Sequence, residues 1–111
     1  MTTITPALLL LTVDLGAADA NVYSPGTNTS GQIGRAVFCN TAASAITITA
    51  GITSGGALGV LTMINARTLA PGETYVSPEL AGVVIPTGYQ LHAFASVAGS
   101  VTLTVSGVVI Q

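Results

Sequence analysis

Ile46, Ile48, Ala50 and Ile52 alternate with Thr47, Thr49 and Gly51, and Val101, Leu103 and Val105 alternate with Thr102, Thr104 and Ser106. Period two puts one set of side chains on each face of a strand, one face buried and the other wet. β-Branched residues dominate both runs, as a pleated surface favours. No segment of helical length carries apolar residues at three- and four-residue spacing. Breakers recur at strand-length intervals. Ser24-Pro25-Gly26 opens a polar loop to Gly31, and Asn40–Ser44 separates two apolar runs and suits a hairpin. Ser54-Gly55-Gly56, Pro86-Thr87-Gly88 and Ala98-Gly99-Ser100 are further breaks. Pro71-Gly72 suits a type II turn, proline setting one dihedral and glycine supplying the positive φ. The breaks leave about nine short strands, near 7–13, 20–24, 33–39, 45–52, 59–65, 73–77, 82–85, 89–96 and 101–110. The fold class is therefore all-β: an antiparallel β-sandwich of about eight or nine short strands with no substantial helix, jelly-roll or immunoglobulin-like. Periodicity does not separate those two.

Four finer expectations follow. The apolar phase shifts after Val105, so Val108 and Ile110 fall on the other parity. A β-bulge at Gly107 restores it, or else the last residues bury a second face against a neighbour. The run Val60–Ile64 is apolar on both parities apart from Thr62, which marks a central strand or an interface strand. The 111 residues have room for a single domain, 1–111. Residues 1–6 form an extended N-terminal arm that orders on a partner, or the first strand simply starts early.

Charge is the most unusual feature of the composition. Only 5% of residues are charged, against 50% hydrophobic. Soluble surfaces carry roughly 25–35% charged residues. Thr, Ser, Asn and backbone must solvate this surface, or other subunits must cover much of it. Arg35 and Arg67 do not make a basic patch and the net charge is −2, which argues against nucleic acid as a partner. No apolar run reaches the roughly 20 residues of a spanning helix, so no membrane partner is expected. Nothing before Ala7 is basic, so a cleaved secretory leader is not expected. The single Cys39 makes no internal disulfide and no zinc site.

Chemistry-bearing residues are sparse, and we assign no catalytic, cofactor-binding or metal-binding residue and no cofactor. His92, the single histidine, lies in an apparent strand beside Phe94 and reads as a structural residue at a surface or interface, because a base or metal site needs partners. Asp14 and Asp19 flank a turn, and Glu73 and Glu79 flank a strand; solvated acids or turn caps account for them better than calcium, whose loops need several converging oxygens. Tyr23, Tyr75 and Tyr89 either line a sugar-binding face or pack in a core or interface, and packing is favoured.

Several stretches, taken in order, resemble a family of small bacteriophage virion proteins. They are Asn21-Val22-Tyr23-Ser24-Pro25, Val37-Phe38-Cys39-Asn40-Thr41 before the Ile/Thr strand, Leu69-Ala70-Pro71-Gly72-Glu73, Gly82-Val83-Val84-Ile85-Pro86, and Val105-Ser106-Gly107-Val108. Tyr89 departs from the pattern, standing where members often place an acid. The resemblance implies a non-enzymatic β-sandwich on a phage particle, of the capsid decoration or cement kind. Its partners would be the major capsid protein or another virion protein, and copies of itself, as in trimers around symmetry axes. The alternatives are a tail, neck or fibre component, or a host-surface or carbohydrate-binding module.

Overall fold

The computed structural model describes residues 4–54, 58–59 and 62–111, and for 5–12 the backbone alone. The described residues form nine strands. These are β1 (Ile4–Asp14), β2 (Asn21–Tyr23), β3 (Ser30–Asn40), β4 (Ile46–Thr53), β5 (Thr62–Leu69), β6 (Thr74–Val76), β7 (Val84–Ile85), β8 (Gln90–Ala95) and β9 (Val101–Ile110). One sheet runs β1-β9-β3-β6, with β7 also on β3, and the other runs β2-β8-β4-β5. β6 pairs with Val37–Cys39 and β7 with Gly31–Gln32, so the two share one edge of β3.

The pairings nest. β4 pairs with β5, β3 with β6 and β7, β2 with β8, and β1 with β9, all antiparallel. That is one long two-stranded ribbon with its tip at the β4–β5 connection. Rolling the ribbon adds the β3–β9 and β4–β8 pairings, which complete both sheets. Nested pairing rolled into two sheets is a jelly roll, whereas an immunoglobulin sandwich orders its strands ABED over CFG. The fold is thus an all-β antiparallel sandwich of the jelly-roll kind.

Topology revises one turn. β3 and β4 lie in different sheets, so Asn40–Ser44 is not a hairpin but a corner crossing between them. Asn40 builds that corner. Its side chain is fully buried, and Nδ2 donates to the carbonyls of Ser44, Leu69 and Ala70 at 3.0, 3.1 and 3.1 Å. Oδ1 accepts from the Ala42 N–H at 2.9 Å. One amide therefore satisfies backbone groups of the corner itself and of the end of β5 in the second sheet, where the ladders end. The Pro71-Gly72 turn forms as expected, with Gly72 at φ 74° and Glu73 N–H donating to Ala70 O at 3.0 Å.

The phase shift near the end of β9 is resolved differently from a bulge at Gly107. β9 itself stays regular. Near Gly107 the register shifts fall on its neighbours, between Ile33 and Arg35 on β3 and between Ala7 and Leu10 on β1. Gly107 faces these extra residues, and a Cβ there would stand 1.9 Å from the Gln32 carbonyl oxygen. Because β9 keeps its alternation, Val108 and Ile110 follow Thr102, Thr104 and Ser106 onto the outer face. They are half-buried there. β5 also departs from expectation. It extends to Leu69 because Ala66 takes a positive φ of 51° and carries the strand through Arg67. It is an edge strand, and of the Val60–Ile64 run Val60 and Leu61 lie outside the described residues. Ile4–Pro6 belong to β1, opposite Ile110, Val109 and Val108, and residues 1–3 lie outside the described residues.

The core lies between the sheets. Ile33, Ala36 and Phe38 of β3 and Val101, Leu103 and Val105 of β9 meet Ile46, Ile48, Ala50 and Ile52 of β4 and Leu91, Ala93 and Ala95 of β8. Alternation therefore turns one face of each strand inward, and the accessible surface of 5443 Å² is near the roughly 5,600 Å² expected for this mass.

Candidate functional surfaces

Leu91 and Ala93 point into the core, so His92 points to the opposite, outer face of its sheet, yet only 6% of it is exposed. The chain connecting β1 to β2 covers it. His92 Nδ1 lies 2.8 Å from Asp19 Oδ1, and Nε2 lies 3.0 Å from Gln90 Oε1. Asp19 Oδ2 accepts the Leu58 N–H at 2.8 Å, from the β4–β5 connection. One carboxylate thus ties two connections to β8. In a hydrolytic triad the second ring nitrogen faces a nucleophile. Here Gln90 takes that place. Asp19, read from sequence as a solvated acid or cap, is a clamp. The pairing joins positions far apart in the chain, and no local signal announces it.

A second polar group sits where β5 and β6 edge the sandwich. The Arg67 guanidinium lies 4.0 Å above the centre of the Tyr75 ring. The Tyr75 hydroxyl donates to Glu79, and Ser77 Oγ donates to the same carboxylate oxygen at 3.2 Å. Burial and the Glu79 carboxylate push the Tyr75 hydroxyl's pKa up. The hydrogen bond from Tyr75 holds the Glu79 carboxyl below its usual value. Cation–π stacking occupies one face of the ring. The tyrosines do not share a platform. Tyr23 is on β2, the opposite edge of the sandwich, where its ring sits over Gly31, and burial raises its pKa. Tyr89 is half-buried against the core in the turn before β8. Glu73 caps its own turn, accepting the Ala70 N–H at 2.7 Å. Asp14 sits exposed at the end of β1 opposite Thr102, and Cys39 is a half-buried free thiol. Among the described residues no group of three or more His, Cys, Asp or Glu gathers as a metal site would require.

The outer face of the β1-β9-β3 sheet is different in kind. Val84, Gln32 and Val108 form one row across it, Ser30, Ile110 and Ile4 the next, and Val76, Val37 and Thr104 another. Ile4 is 64% exposed, Val76 47% and Val84 45%. Between these rows the β3 irregularity leaves a depression of about 270 Å³, lined by Gln32, Ile33, Gly34, Gly82, Gly107 and Val108. Sequence reading allowed the end of β9 to meet a neighbour but missed the depression, because it arises from glycines on three separate segments.

The fold and its surfaces define a jelly-roll sandwich with a lightly charged exterior. No family model and no curated protein matches the chain. Solved structures do. The whole chain, 100%, superposes on 32% of a chain in a structure of infectious bursal disease virus, Gx strain, with a TM-score of 0.60 and 17% identity. In the VP2 subviral particle of the same virus, 98% of the chain matches 32% of the longer one, with TM-score 0.57 and 17% identity. In that virus's T13 particle, 99% matches 30%, with TM-score 0.56 and 13% identity. The chain spans about a third of the length of these neighbours. At these identities the likeness is one of fold.

Proposed function

We propose that this chain is a non-enzymatic structural module of a virus particle, and more narrowly a capsid decoration, or cement, protein of a bacteriophage that binds the outside of the assembled head. The observation that carries the reading is the superposition of the whole sandwich on parts of virus-particle chains. Its exterior supports the same reading. Six charged side chains leave a surface that neighbouring subunits can cover at little desolvation cost. A protein that binds only the assembled shell stabilises it by mass action. Weak individual contacts suffice when an oligomer, such as a trimer, engages several shell subunits together. The His92 and Tyr75 groups serve as clamps within the sandwich rather than as chemistry. A tail, neck or fibre position is the alternative, separated from decoration by copy number. Sugar binding has less support, since Arg67 and Glu79 already occupy Tyr75.

The test is the temperature at which purified particles release their genome, with the chain present and with its gene deleted. Particles that still assemble but burst at a lower temperature support decoration. An unchanged bursting temperature contradicts it.

A further inference from the structure

We infer that the outer face of the β1-β9-β3 sheet is where two copies of this chain meet, an apolar side chain of one entering the glycine-lined depression of the other. The inference deepens the particle reading and rests on it for naming a second copy as the occupant.

The depression is built by three glycines, and two of them are required by the fold. Gly82 adopts φ 83°, which favours glycine, and a Cβ on Gly107 would collide with the β3 backbone. Gly34 is different. A Cβ there would meet the Gly107 Cα and the Ser106 oxygen at 3.5 Å each, ordinary contact distances. Glycine inside a strand weakens it and often marks a bulge or the close approach of a ligand or another backbone, and Gly34 sits at the β3 irregularity. Neither space nor a positive φ keeps a side chain off Gly34, and its bare backbone leaves the depression open to an occupant.

The same face supplies knobs beside the hole. Val108 lines the depression, Val84 stands in register with its Gln32 wall, and Ile110 and Ile4 follow in the next row, so a like face carries both halves of the contact. A face holding both halves suits an isologous pair. Its charges among the described residues are Arg35 and Asp14, of opposite sign and on different strands, and the sequence of 5–12 adds none. Two such faces therefore meet without a cluster of like charge. Strand rise and spacing give the face roughly 30 Å by 19 Å, or roughly 600 Å² per copy. A pair would bury roughly 1,200 Å², the lower end for specific interfaces, so the contact is weak alone and gains strength by repetition in a particle.

The experiment is sedimentation equilibrium of the full chain from about 1 µM to about 500 µM, a range that brackets weak interfaces. Self-association should appear within it. Gly34→Val, filling the hole, and Val84→Asp, charging the rim, should each weaken it at least about tenfold, while circular dichroism shows both folded. Val97→Asp, in the exposed β8–β9 turn, should leave it unchanged. If Gly34→Val fails to fold, Val84→Asp alone decides. A wild-type chain monomeric throughout, or association indifferent to the folded variants, overturns the inference. Self-association through this face by a chain absent from particles would instead sink only the particle reading.

Discussion

Asn40 makes four hydrogen bonds from a fully buried amide, and three of its partners are carbonyl oxygens near the strand ends of the second sheet. Replacing it with alanine strands those groups away from water. Buried unsatisfied groups cost about 1–3 kcal/mol each where solvent cannot reach, so Asn40→Ala should lower stability by about 2–4 kcal/mol in urea denaturation. Gly107 is constrained by space instead. Gly107→Ala drives a methyl into the Gln32 carbonyl and must open the β3–β9 ladder, costing about 2–4 kcal/mol and read as a lower melting temperature. Glu79 gives a pH signature. Its pKa lies below the usual 4.5 when folded, chiefly through the Tyr75 hydrogen bond. A depressed carboxyl stabilises the fold above the unfolded value, and that contribution is lost as pH falls through the folded one. The difference in urea midpoint between the native chain and Glu79→Gln should therefore be present near neutrality and shrink in acid. A difference that stays constant with pH would contradict the assignment.

At the scale of elements, the Asp19 clamp predicts local rather than global change. Asp19→Ala removes the acceptor of the Leu58 N–H and the partner of His92. Hydrogen exchange at the Leu58 amide should then accelerate at least about tenfold, while core amides such as Ile48 and Leu103 slow exchange as before. Equal acceleration everywhere would mean that the clamp holds the whole sandwich. The strands themselves were legible in the sequence. Alternation marked β4 and β9, and breakers separated the short strands, because burial on one face imposes period two wherever a sheet covers a core. What alternation does not carry is partnership. The Asn40–Ser44 stretch reads as a hairpin turn locally, and only the rolling of the ribbon sends β3 and β4 to different sheets. A bulge was expected at Gly107, and the strands that carry the extra residues escaped for a related reason. The shifted phase is written in β9, but the extra residues sit in β1 and β3. Of the surfaces, the strand that carries His92 was legible but not its burial, because its partner Asp19, like the depression at Gly34, depends on contacts between distant segments.

At the scale of the whole molecule, a ribbon rolled into two sheets leaves two broad outer faces and few charges. One face is partly covered by the chain's own connections through Asp19 and His92. The other exposes Ile4, Val76 and Val84 among Ser, Thr and Gln side chains, and it is the face that the proposed particle role would set against neighbours. The central claim is that this chain is a structural part of a virus particle. Quantitative mass spectrometry of purified particles, counting copies of this chain per copy of the major shell protein, tests it most directly. The account predicts a ratio set by the shell lattice. A handful of copies per particle would move the chain to the tail or neck, and its absence from particles would contradict the account.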